Sequence, residues 1–349
     1  MVSVVSNQTT VHVRKNVRNI MEQQYRMNPD GMDENRMHSG SVPKPENRFL
    51  RIWGPLFIKW GISLAVSVIA LMIFEMFVIM QKSGVDFSAA QASAQLQEFM
   101  QNYMSDSAAS VEFANEISQE FMKYSTLVEG LAALITIPIM LLLFHKDRVK
   151  EKVSGFISNK KASIWKYGYV FLMMIALTIG VNNLLKISGM MSASEEYEQT
   201  MSALYAASLP MQLLCLGLLV PMCEELVFRG LMFRRIRQSG TFLQSALYTS
   251  AVFGFLHMNM VQMIYGFCLG MVFCYLYEKY GSVKAPIFAH MTANVFAVFM
   301  THFNAMEWMR EEPVKMGVIT IVCASVASSM YVLIQRIDEK PEQVIHTES

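Results

Sequence analysis

Charge is scarce in this chain. Only 16% of its 349 residues are Asp, Glu, Lys or Arg, against about 25% in an average soluble domain. The shortage is concentrated in long apolar blocks, which excludes an ordinary soluble domain. Cysteine is sparse too. All five (Cys215, Cys223, Cys268, Cys274, Cys323) fall in apolar segments without a CxxC pair. That excludes a disulfide framework or zinc knuckle and leaves small buried hydrophobes. There is no HExxH for a zinc-protease helix. No Ser or Cys stands in a recognisable nucleophile arrangement. No signal peptide is expected, because residues 1–50 are polar and the first apolar run, from near Pro55, is long enough to stay as a span. The net charge of +1 says little as a total, and no nucleic-acid partner is expected.

What is abundant is apolar: 53% of the residues, with thirty methionines that fill gaps between helices. The expected fold is all-α, a polytopic transmembrane helical bundle of about eight spans, each near the roughly 20 residues needed to cross a bilayer. They are placed at 56–80, 125–144, 167–187, 206–228, 242–258, 260–278, 284–303 and 315–335. Loop charges orient them. Eight Lys/Arg lie between Arg14 and Arg51, and basic stretches follow spans 2 (Lys146 to Lys161) and 4 (Arg234, Arg235, Arg237). Acidic stretches follow spans 1 and 3. By the positive-inside rule both termini face the cytoplasm, and the setting expected is a bacterial plasma membrane.

The chain is expected to divide into a polar cytoplasmic tail (1–50), an N-terminal transmembrane region (51–200) with an external loop (84–124), a transmembrane core (201–305) that holds the polar motifs described below, and a last span with a cytoplasmic C-terminal tail (306–349). In the loop, Leu96, Phe99, Met100, Tyr103 and Met104 recur at helical spacing, as do Phe113, Ile117 and Phe121. One or two amphipathic helices are expected there.

Polar groups inside spans are costly and mark function. Span 4 carries Glu224, Glu225 and Arg229. Glu225 and Arg229 are four apart and meet on one helix face. Glu224 is rotated by about 100° and left without that partner. Pro221 removes a helix hydrogen bond and frees the carbonyl of Gly217, by α-helical counting. Span 5 ends at His257. In a tight hairpin about Gly240, Glu224 and His257 both lie roughly 21–22 Å from the turn, so a contact between them is expected. Span 7 carries His290 and Asn294, four apart, at roughly 12 and 18 Å from its start. They are level with Glu224 only if that helix begins recessed. Glu75 stands alone near the external end of span 1, where snorkelling is expected. Glu224, His257, His290 and Asn294 could activate a water and stabilise an oxyanion. Glu224, His257 and His290 could instead hold a metal, with zinc possible, since His2Glu is a zinc ligand set.

Three motifs stand in order: Glu224-Glu225-Leu226-Val227-Phe228-Arg229 (EExxxR), Phe253-Gly254-Phe255-Leu256-His257 (FxxxH) and His290-Met291-Thr292-Ala293-Asn294 (HxxxN). In this the chain resembles the CPBP or Abi family of CAAX-processing and bacteriocin-processing intramembrane endopeptidases, over about residues 205–300. The resemblance implies that Glu224 activates the hydrolytic water with His257 beside it, and that His290 and Asn294 form the oxyanion hole. Glu225 and Arg229 would then be a structural pair, with Glu225 also able to assist. It implies a membrane-associated peptide or protein substrate in the lipid bilayer and a glutamate mechanism without cofactor, where an older description of the family was metal-dependent. The rival expectations are a non-proteolytic bacteriocin self-immunity or binding protein, and a proton-coupled transporter using Glu224 and His257 as a relay.

Overall fold

The computed structural model describes residues 47–83, 91–105, 107–153, 159–191 and 194–337. The expected cytoplasmic tail up to residue 46, the start of the external loop (84–90), the end of the C-terminal tail, and the side chains of Tyr103 and Met104 lie outside the described residues.

Every expected span is helical. The helices are α1 (Arg48–Ser83), α2 (Ala92–Ser105), α3 (Ser107–Met122), α4 (Ser125–Val153), α5 (Tyr167–Ile187), α6 (Glu195–Tyr205), α7 (209–237), α8 (Phe242–Phe255), α9 (Met260–Tyr280), α10 (Lys284–His302), α11 (Ala305–Arg310) and α12 (Pro313–Gln335). No strand occurs among the described residues. The fold is thus a polytopic helical bundle, in which the count of about eight spans is approximate. Six helices are long and apolar enough to cross a membrane: α1, α4, α5, α7, α9 and α12. The other two expected spans fall short for physical reasons. With 14 residues α8 is short, because the chain turns at Leu256 before His257. In α10 the apolar run is diluted by Lys284, His290 and Asn294.

The loop helices α2 and α3 match the amphipathic pattern. In α3, Ile117 is buried and Phe121 packs on Phe74 of α1. The chain enters α8 through a capping box, in which the Thr241 hydroxyl accepts from the Gln244 amide and the Gln244 side chain accepts from the Thr241 amide.

α7 is the hub. Every residue from Leu226 to Phe233 is buried, Arg229 included. One apolar cluster joins α7 to α1, α4 and α8 through residues such as Leu56, Met140, Phe228 and Phe253. A second joins α5, α9, α10 and α12 through Met174, Phe273, Ala289 and Ala327. The site lies where the two clusters meet. On its outside the bundle is apolar, and Leu64, Ile69 and Met72 of α1 are all more than half exposed, which suits a lipid-facing helix.

Helix α7 is not uniform. Leu213–Leu219 and Leu226–Phe233 are π-helical, and the α-helical stretch Val220–Glu225 lies between them. Such wide turns are rare and concentrate at functional positions.

Candidate active site

The two glutamates sit at the end of the α-helical stretch between the π-turns, and they differ in every respect. Glu225 is fully buried. Its Oε1 accepts from Arg229 Nη1 at 2.9 Å and lies 2.9 Å from His290 Nδ1. Glu224 is 18% exposed at its side chain, and its Oε2 lies 3.9 Å from His290 Nε2. No hydrogen bond to the Glu224 carboxylate occurs among the described residues. The His290 ring is therefore strung between two carboxylates. The tautomer that donates from Nδ1 to Glu225 turns the Nε2 lone pair toward Glu224.

Burying a carboxylate is tolerable only with compensation. Here the Arg229 guanidinium supplies it, itself 0% exposed. Its Nη2 donates to the Gly270 carbonyl at 3.1 Å. It lies 4.5 Å from the Phe253 ring centre and 5.1 Å from that of Phe273, a stacking environment that suits a delocalised cation. Phe273 also stacks on His290 at 4.9 Å. The close fit depends on Gly270, because a Cβ there would stand 2.9 Å from Ser250 Cβ and 3.0 Å from Arg229 Nη2.

α10 starts just after a turn that is covered by the preceding chain. The turn at Gly281, in the left-handed region at φ +58°, is overlaid by the backbone carbonyls of Asn159 and Lys160, and Ala162 N–H donates to the Tyr280 carbonyl.

Two expectations about this region are corrected. First, Pro221 orphans Leu216, not Gly217. In the π register a carbonyl accepts from five residues on, as Cys215 does from Val220, so the missing proline N–H falls opposite Leu216. Asn294 Nδ2 fills that place, donating to the Leu216 carbonyl at 2.9 Å. Second, among the described residues Glu224 makes no hydrogen bond or ion pair with His257. His257 lies beyond the end of α8, and its Nδ1 is 2.9 Å from the Phe253 carbonyl. It belongs to the same neighbourhood nonetheless, since His257 and His290 both stand edge-on to the Phe253 ring, at 5.0 and 6.0 Å. The next residue, Met258, takes φ +64°. That costly conformation for a side-chain-bearing residue lets Asn259 cap α9 by accepting from the Gln262 amide at 2.9 Å.

Glu224, His290, Asn294, Glu225 and Arg229 thus come together, with His257 at the margin. Phe273, Gly270 and the Leu216 carbonyl are site components that residue spacing did not indicate. For the suggested ligand set Glu224, His257 and His290, the fit to a metal is poor. Among the described residues His257 makes no hydrogen bond or ion pair with Glu224, and no group of three or more His, Cys, Asp or Glu is placed to hold an ion.

Residues 206–296 match the family model described as "Type II CAAX prenyl endopeptidase Rce1-like", a stretch that contains the whole cluster. The chain is also similar to the protein named "Putative membrane peptidase YdiL" of Bacillus subtilis (strain 168), at 21% identity over 194 residues, covering 56% of this chain and 78% of that one. No solved structure matches. With its membrane-length helices and its three polar motifs inside the matched stretch, the chain is a multi-pass membrane protein whose 206–296 core is similar to the CAAX protease family.

Proposed function

We propose that the protein is an intramembrane endopeptidase that cleaves a peptide bond in a membrane-associated peptide or protein, with Glu224 as the general base. One observation carries this reading: of two adjacent carboxylates, one is locked by Arg229 and His290, and the other is partly exposed and lacks a hydrogen bond.

A water beside Glu224 Oε2 and His290 Nε2 can donate one hydrogen to each. Its lone pair then points away from both, toward a substrate carbonyl. As the water oxygen attacks, Glu224 takes the proton and later gives it to the leaving amine. Glu225 holds His290 in the tautomer that accepts from the water. The developing oxyanion needs N–H donors, and Asn294 has one Nδ2 hydrogen left after its bond to Leu216. In the neutral ring His257 donates from Nδ1 to the Phe253 carbonyl and keeps Nε2 as an acceptor for the departing amine. No step needs a metal. The setting proposed is a plasma membrane with both termini cytoplasmic.

The test is cleavage of a quenched fluorescent peptide library by the purified protein, before and after metal stripping with a chelator. Hydrolysis that survives the chelator is expected. Loss of hydrolysis on stripping, restored by zinc, would overturn the metal-free mechanism. No hydrolysis of any substrate would favour an immunity protein or a proton-coupled transporter.

A further inference from the structure

Two adjoining cavities lead away from the site along α10. The inner one, about 90 Å³, is lined by Asn294, Ala293 and Tyr265 and by Ala297 one turn on. The outer one, about 290 Å³, shares Asn182, Tyr197, Met201, Tyr205 and Ala297 with it and ends at Thr301, Asn304 and Arg310. Asn294, Ala297 and Thr301 lie on one helix face, so the passage runs roughly 10 Å from the site toward α6 and α11.

The charges in the outer cavity are unequal in environment. Lys186, Glu198 and Glu307 are exposed, where water screens them. Arg310 is half-buried. Among the described residues its Nε is buried without a hydrogen-bond partner, and its Nη2 has only the Met191 sulfur, at 3.8 Å. A guanidinium N–H withdrawn from water without an acceptor is costly, and a carboxylate, the anion a peptide carries, fits its planar fork. Tyr197 and Tyr205 add hydroxyl groups to the wall. Burial pushes the Tyr197 phenol up to about 12 and raises that of Tyr205, so both stay protonated donors at neutral pH.

We infer that this passage is a substrate subsite, in which Arg310 binds a carboxylate of the peptide whose scissile bond lies at Glu224 and Asn294. The inference rests on the peptidase reading above, and Arg310 is a specificity-determining residue outside the chemistry. The carboxylate has two possible sources in a peptide, its C-terminus or an acidic side chain.

Binding separates these cases without requiring cleavage. Glu224→Gln protein, alone and combined with Arg310→Gln or Arg310→Lys, is titrated with a dansylated apolar octapeptide in three forms: free C-terminal acid, C-terminal amide, and the amide carrying one internal Glu. The expected result is at least tenfold tighter binding of one acidic form than of the neutral amide. Whichever acidic form gains identifies the source. That preference should vanish in Arg310→Gln and be partly kept in Arg310→Lys. Arg310→Lys also serves if Arg310→Gln does not fold, because it keeps the charge and loses the fork. Equal binding of all three forms, or a preference untouched at Arg310, would overturn the inference. Failure of the peptidase reading would show differently, as peptides that bind the Arg310 subsite but are not cut by the unmodified protein.

Discussion

The two glutamates share a backbone neighbourhood and diverge through a one-residue rotation. Glu225 falls on the face that meets Arg229, Phe253 and Phe273, and Glu224 falls on the face left partly open. Removing Arg229 strands Glu225 as an unpaired buried charge, a loss of about 3–5 kcal/mol in comparable pairs. Arg229→Met should therefore lower the thermal midpoint sharply or prevent accumulation, with Arg229→Lys intermediate; thermal unfolding in detergent measures both. Gly270→Ala should have a milder effect by the same route. The added Cβ presses on Ser250 and on the guanidinium, and overpacking of this kind costs about 1–3 kcal/mol.

At the scale of the element, α7 shows what residue spacing reveals and what it conceals. The Glu225–Arg229 pair is readable because four-residue spacing brings side chains to one helix face, and the contact survives the wider turn that begins at Leu226. The orphaned carbonyl differs by one position from the α-helical expectation because nothing in the run Leu213–Leu219 distinguishes a π-turn from an α-turn. Phe273 and Gly270 escaped notice for a related reason, since an apolar ring and a glycine in an apolar helix carry no chemical signal until their neighbours are known. His257 lies beyond α8 and not in its last turn, because the chain turns at Met258 through a positive φ that spacing does not predict for that residue. The π register makes a prediction of its own. Asn294→Ala should destabilise α7 by leaving Leu216 unpaired, by about 1–3 kcal/mol. Adding Pro221→Ala restores an N–H opposite Leu216 and should recover the thermal midpoint. Peptide cleavage should stay low in the double variant if Asn294 also serves the oxyanion. Recovery of both stability and turnover would make Asn294 purely structural.

For the whole molecule, apolar blocks and loop charges were enough to anticipate a helical bundle. The span count was not fixed by them, because α8 and α10 owe their place to packing within the bundle and fall below the length or apolarity of a lipid-exposed helix. Orientation is testable directly. A cysteine introduced at Ser93 in α2 should react with an impermeant maleimide in intact cells. Labelling seen only after the membrane is opened would reverse the proposed topology. The same bundle places the two carboxylates at the junction of its two apolar clusters, where Glu224 is partly exposed and Glu225 is not.

That division is the centre of the account, and turnover by Glu224→Gln protein tests it most directly. At equal folded concentration and with the same reporter peptide, kcat should fall by at least about 100-fold, the usual contribution of a positioned general base, while the thermal midpoint stays at the wild-type value. Wild-type turnover by Glu224→Gln would contradict the assignment.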